Sequence, residues 1–130
     1  MIIDGKGTVL GRLASFVAKA ALKGEEIKII NCDKIIITGN LKTIEREFKE
    51  KRSRFGHSQK GPKHPATNEK IVKRTIRGML PNYREGRGRQ AYKRIKCYVG
   101  LPKEFEEIKP IIISTGKKMK FSQVKEFTKK

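Results

Sequence analysis

The chain has no tryptophan, two cysteines and five prolines, and aromatic residues fill only 7% of its 130 positions. Acid is scarce as well: 13 Asp and Glu stand against 32 Lys and Arg, a formal charge of +19. No apolar run passes a few positions, Ile35-Ile36-Ile37 and Ile111-Ile112-Ile113 being typical. A helix that crosses a bilayer needs roughly 20 apolar residues, so no membrane span is expected. The start, Met1-Ile2-Ile3-Asp4-Gly5, has neither a basic leader nor a long apolar stretch, and a secretory signal is not expected there. Cys32 and Cys97 are too few for a disulfide framework, which makes a reducing, cytosolic setting the expectation.

The same scarcities thin the chemistry available. Asp4 and Asp33 are the only aspartates, whereas a metal-dependent nuclease needs clustered carboxylates. Serines, histidines and acids are scattered, so no catalytic constellation stands out and no enzyme is expected. Cys32, Cys97, His57 and His64 have a spacing unlike any familiar zinc finger. Neither metal nor cofactor is expected. The turn Gly5-x-Gly7-x-x-x-Gly11 invites a nucleotide reading, but the third glycine falls one position late for the dinucleotide fingerprint. Gly11 is followed by Arg12-Leu13, which also fails the phosphate-loop pattern. A tight turn with close helix packing is the plainer reading.

What the chain does have is one-signed charge, unevenly placed. With 36% hydrophobic residues it can bury a small core, and its length is that of one domain. Residues 1–40 carry a net charge of +2, residues 41–98 carry +13 and residues 99–130 carry +4. Nine of the ten arginines lie in the middle segment, only Arg12 falling outside it. Arginine's planar fork binds phosphate bidentately and stacks on bases, where lysine acts as a mobile point charge. An excess of this kind points to a polyanionic partner, and nucleic acid is the commonest.

Periodicity supplies the scaffold. Met1–Asp4 reads as a strand, and Leu10, Leu13, Ala14, Val17, Ala20 and Ala21 recur at helical spacing, with Gly24 placed to end the helix. Ile27–Asn31 and Ile35–Thr38 are β-branched strand candidates, so strand, helix and strand in this order favour a parallel sheet. A weakly amphipathic helix follows from Leu41 to about Arg52, braced by Glu45–Lys49 and Glu47–Lys51 pairs. Ser53–Asn68 reads as a long loop, an arm that orders on a polyanion. Thr67 or Asn68 caps a third helix with Ile71, Val72, Ile76, Met79 and Leu80 on its buried stripe, and Pro81 stops it. Tyr83–Arg89 reads as a basic turn, Gln90–Lys96 as a short basic helix and Cys97–Val99 as a strand. A short helix near Pro102–Glu107, a strand at Ile111–Ile113 and a terminal helix from Ser122 complete the expectation.

The segment Lys73-Arg74-Thr75-Ile76-Arg77-Gly78-Met79-Leu80-Pro81 is the most specific feature. Lys73, Arg74 and Arg77 lie three to four apart and can share one helix face while the apolar residues dock the other. Gly78 leaves room for close backbone approach, by a partner helix or by a sugar-phosphate strand. Pro81 turns the chain toward Arg84, Arg87 and Arg89, with Tyr83 and Tyr92 available for stacking on unpaired bases.

Arg74-Thr75-Ile76-Arg77-Gly78-Met79-Leu80-Pro81 resembles the signature of the large-subunit ribosomal protein thirteen family in its archaeal and eukaryotic form. Supporting matches are Gly11-Arg12-Leu13-Ala14-Ser15, Val17-Ala18, Asn31-Cys32-Asp33-Lys34-Ile35, Ile37-Thr38-Gly39, Lys60-Gly61-Pro62, Arg87-Gly88-Arg89 and Tyr98-Val99-Gly100-Leu101-Pro102. After Pro65, Ala66-Thr67-Asn68 stands where relatives carry an arginine and another proline. The resemblance implies an α/β fold of three α/β/α layers, with a mainly parallel four-stranded sheet in the order 3-2-1-4. It also implies a non-catalytic protein that binds large-subunit rRNA, helps early subunit assembly and sits among neighbouring large-subunit ribosomal proteins. No membrane, small-molecule substrate or homo-oligomer is expected. The candidate RNA-binding set is Lys6, Arg12, Arg52, Arg54, His57, Lys60, Lys63, His64, Lys73, Arg74, Arg77, Gly78, Pro81, Tyr83, Arg84, Arg87, Arg89, Lys93 and Arg94.

Overall fold

The computed structural model describes residues 1–54, 64–113 and 120–128. Its first unit is the expected strand–helix–strand: β1 (Ile2–Asp4), α1 (Leu10–Leu22) and β2 (Ile27–Ile30). α1 forms because its apolar positions fall on one face; Leu13, Ala14, Val17 and Ala21 are buried while Arg12, Ser15 and Lys19 face out. Gly24, at φ +103°, ends the helix in a conformation that costs a residue with a Cβ. Gly5 packs where a Cβ would lie 2.7 Å from the Ile35 side chain, and Gly7 turns at φ 72°. The glycine turn is therefore built for the protein's own packing.

The chain then continues through β3 (Ile36–Thr38), α2 (Leu41–Ser53), α3 (Asn68–Gly78), α4 (Gly86–Lys93), β4 (Ile95–Cys97), β5 (Ile111–Ile112), β6 (Phe121–Gln123) and α5 (Val124–Thr128). The four-stranded sheet runs β4-β2-β1-β5, with every pair parallel. Counted within the sheet this is the order 3-2-1-4 of an α/β fold. Ile3 pairs with Ile29 and Ile27 with Ile95, so these four buried residues share one face. α1, α3 and α4 pack on that side. Lys28 points to the other face, where its ammonium lies 4.9 Å from the centre of the Phe105 ring. Phe105 belongs to a 3-10 turn, Lys103–Phe105, where a short helix over Pro102–Glu107 was expected.

Five expectations shift. Asn31 is not the end of β2 but a left-handed residue at φ 56°, and a 3-10 turn at Cys32–Lys34 carries β3 out of the main sheet. β3 pairs instead with β6, antiparallel, a strand too short and polar to show in the sequence. The terminal helix expected from Ser122 accordingly begins at Val124. The basic helix expected at Gln90–Lys96 starts at Gly86 and ends at Lys93, and the strand expected at Cys97–Val99 spans Ile95–Cys97. Helical periodicity was hidden there because the buried face of α4 is made of Gly88 and Ala91, and glycine does not register as apolar.

α2 buries none of its residues fully, as its weak amphipathicity predicts. Asn40 caps it by accepting from the Lys42 amide at 3.1 Å, and Phe48 meets Phe127 of α5 edge-on at 5.1 Å. Lys49 pairs with Glu45 at 3.3 Å. The expected Glu47–Lys51 pair does not form; the second pair is Arg54 with Glu50, at 3.9 Å.

Candidate nucleic-acid interface

α3 and α4 carry the centre of the basic segment. In α3, Val72 and Ile76 are fully buried against the sheet. Their burial fixes the helix about its axis and leaves Lys73, Arg74 and Arg77 half-buried on its flank. Thr67 occupies the cap position without a side-chain capping bond, and Glu69 lies in the first turn, where a negative charge suits the helix dipole. Thr75 bonds back to the Ile71 carbonyl at 3.1 Å.

α4 is clamped against the turn that follows α3. Gly88 is buried, and a Cβ there would collide with the Pro81 carbonyl and stand 2.7 Å from the Asn82 carbonyl oxygen. Only glycine permits this approach. Gly88, which in sequence stands only as part of the Arg87-Gly88-Arg89 match between two candidate arginines, thus has a packing role.

Between α3 and α4 the cations are held by rings. The Lys73 ammonium lies 4.7 Å from the centre of the Tyr92 ring, and the Arg77 guanidinium 4.5 Å from that of Tyr83. Arg84 lies 5.5 Å from the same Tyr83 ring and donates from Nε to its hydroxyl at 3.3 Å. The rings themselves stand 6.3 Å apart. Tyr83 and Tyr92 are thus already engaged with the protein's own cations, where bare stacking surfaces were expected. The Arg84 hydrogen bond and the charges of Arg84, Arg77 and Arg74 hold the Tyr83 phenol below its ordinary pKa.

Lys73, Arg77 and Arg84 have no acid partner among the described residues. The two ion pairs between described residues both lie at α2, and Lys73, Arg77, Arg84, Arg87 and Arg89 form none with a described residue. Beside them an open hollow of about 610 Å³ is lined by Glu69, Lys73 and Arg77 on one side and Tyr92, Cys97 and Tyr98 on the other. A second hollow of about 410 Å³ lies between α2 and α3, with His64, Lys51 and Arg74 on its wall and Ile44, Phe48 and Phe127 lining it. Burial, then the nearby charges of Arg74 and Lys51, lower the His64 pKa below 6.5, so its ring is neutral near pH 7.

The other candidates divide. Arg87, Arg89 and Lys93 are exposed on α4, and Gly78 and Pro81 are exposed beside them. Beyond its own helix and chain neighbours, no described atom lies within 4 Å of where a Gly78 Cβ would be, so no described helix approaches it. Arg94 is half-buried and donates from Nη1 to the Ala21 carbonyl at 3.2 Å, tying the end of α1 to β4. Arg52 rests on the Phe48 ring at 5.9 Å and Arg54 on Glu50, both at the end of α2. Lys6 and Arg12 are exposed, in the glycine turn and the first turn of α1. His57, Lys60 and Lys63 lie outside the described residues.

Cys32 and Cys97 meet behind the first hollow. The hydrogen bond that the Cys32 thiol donates to Cys97, and then burial, push its pKa well above the usual value, which keeps it protonated and inert. Among the described residues no group of three or more His, Cys, Asp or Glu side chains could hold a metal ion. No described helix is long and apolar enough to cross a membrane.

Comparison with known proteins identifies the family to which this basic chain belongs. A family model described as ribosomal protein L13 matches residues 1–104. The large ribosomal subunit protein uL13 of Methanosphaera stadtmanae is 53% identical over 108 residues, covering 81% of this chain and 75% of that protein. Its counterpart in Methanosarcina barkeri is 48% identical over 114 residues, covering 87% and 80%. The uL13 of Methanococcoides burtonii is 39% identical over 127 residues, covering 98% and 90%. The chain belongs to the ribosomal protein L13 family, structural proteins of the large ribosomal subunit and not enzymes.

Proposed function

We propose that the protein binds large-subunit rRNA through the α3–α4 face and aids early subunit assembly as one domain. The observation that carries this reading is the set Lys73, Arg77 and Arg84, held on the Tyr92 and Tyr83 rings and lacking acid partners among the described residues, with Arg87 and Arg89 exposed beside them on α4. Unpaired, pre-oriented guanidinium groups lose little freedom on meeting phosphate, so the repulsion they store in the free protein is released on a polyanion. Lys73, Arg74, Arg77, Arg84, Arg87, Arg89 and Lys93 form the centre of the contact, with Gly78 and Pro81 letting the backbone come close. Arg52, Arg54, His64 and the 53–68 arm with His57, Lys60 and Lys63 extend it, and Lys6 and Arg12 mark a further edge. Arg94 serves chiefly to hold α1. Neighbouring large-subunit proteins are the remaining partners, in the cytoplasm, and the protein works as a single copy.

Filter binding of the full chain to large-subunit rRNA fragments, with duplex DNA as competitor, tests the reading. Arg74→Ala with Arg77→Ala is expected to weaken rRNA binding far more than the charge-matched Lys42→Ala with Lys109→Ala. Equal losses, or DNA competing as well as rRNA, would leave only diffuse charge attraction.

A further inference from the structure

The hollow between α3 and β4 has a chemistry that general phosphate binding does not need. Its volume, about 610 Å³, falls within the roughly 300–1,000 Å³ of sites that take a small molecule. Lys70, Lys73, Arg77 and Lys96 surround it, yet its wall also holds a carboxylate, Glu69, and the Tyr92 ring. Glu69 is half-buried and forms no ion pair with a described residue, though Lys73 is one turn away. The helix dipole explains an acid in the first turn of α3, but not one facing a hollow whose other charged lining residues are all cations. β4 is the edge strand of the sheet, so a row of its backbone groups near Cys97 faces away from β2.

We infer that this hollow receives one unstacked guanine nucleotide of an RNA strand, a proposal that rests on the RNA-binding reading above. A carboxylate only accepts hydrogen bonds. Guanine alone among the four bases carries two neighbouring donors on its pairing edge, N1–H and the N2 amino group, which match the two oxygens of Glu69. Adenine and cytosine set an acceptor beside their amino group, and uracil flanks its single N–H with carbonyls. The base lies along the Tyr92 ring, and the Lys73 ammonium that covers that ring in the free protein turns to the nucleotide's phosphate with Arg77. A free guanine nucleotide has the same chemistry, so the source is decided by measurement.

The test is fluorescence anisotropy of the full chain with labelled pentaribonucleotides, uridine at four positions and guanosine, adenosine, cytidine or uridine at the centre. The guanosine oligomer is expected to bind about tenfold tighter than the others, the discrimination of one bidentate base contact. Glu69→Gln raises the net charge, so it strengthens binding to the adenosine, cytidine and uridine oligomers while weakening the guanosine oligomer to their level. Glu25→Gln raises the charge equally at an exposed site away from α3 and keeps the preference. Four equal affinities, with salt-sensitive binding retained, would overturn the guanine site and leave the RNA-binding reading standing. Failure to bind any oligomer or rRNA would overturn both. Guanosine 5′-monophosphate binding as tightly as the guanosine pentamer would overturn the assignment to an RNA strand.

Discussion

The α-carbon of Gly88 rests against the carbonyl of Pro81, with no space between them for a methyl group. This contact locks α4 onto the turn after α3 and so sets where Tyr83, Arg84 and Arg87 stand relative to Arg77. Gly88→Ala must push two backbone segments apart, an overpacking that costs about 1–3 kcal/mol. Gly11→Ala is the contrast: it lies in the first turn of α1 with nothing within 4 Å of the added Cβ. It is expected to leave stability unchanged or raise it by up to about 1 kcal/mol. Urea unfolding of the two variants beside the parent measures the difference.

Arg94 separates stability from binding. Its guanidinium bonds to the Ala21 carbonyl across 73 residues of sequence. Arg94→Met keeps most of the stem but loses that bond, and a hydrogen bond to a charged group contributes about 1.5–3 kcal/mol. The melting temperature is expected to fall, while rRNA affinity below the transition drops less than for Arg77→Met. The opposite ranking would place Arg94 in the RNA contact.

Ionic strength reads the number of phosphates engaged. If about ten are neutralised, log affinity falls against log salt with a slope of roughly −7 to −9. Each of Arg77→Ala, Arg84→Ala and Arg87→Ala is expected to reduce that slope by roughly one, measured from 50 to 300 mM salt by a titration series. A slope near zero would exclude a phosphate-driven contact.

His64 supplies a pH signature. Its pKa is lowered in the folded state by burial and by Arg74 and Lys51. Well above pH 6.5, as at pH 8, the ring is neutral in both folded and unfolded chains and adds no pH dependence. Below 6.5 the unfolded chain takes the proton first, so stability is lost as pH falls. His64→Gln is therefore expected to unfold at the same temperature as the parent at pH 8 and to become relatively more stable below 6.5. An NMR titration of the His64 ring gives the pKa directly.

The two thiols should differ in reactivity. Cys32 is fully buried with a raised pKa, and Cys97 is half-buried. A disulfide reagent at pH 8 is expected to modify no more than one thiol of the native protein quickly, and both once urea is added. Rapid modification of both in the native state would show that the core around Ile29 and Cys97 opens readily.

Much of this molecule was legible before any coordinates. α1 appeared from the spacing of Leu10, Leu13, Ala14 and Val17, because a 3.6-residue period and a buried face are one physical fact. α3 and its basic flank appeared for the same reason, with Val72 and Ile76 marking the inner side of Lys73, Arg74 and Arg77. Charge is a sum over residues and needs no fold, so the +13 of residues 41–98 named a polyanionic partner at once. Contacts between distant segments left no such local mark. Gly88 against Pro81, Arg94 on Ala21 and β3 with β6 join stretches whose own sequence favours none of them over other partners. The tyrosines show the difference most plainly: composition made them free stacking surfaces, whereas the packing of α4 on α3 placed Lys73, Arg77 and Arg84 on their rings. Residue type and period decide which groups a chain can offer. Their distances and neighbours, and hence which cations stand ready for phosphate, depend on how the elements close on one another.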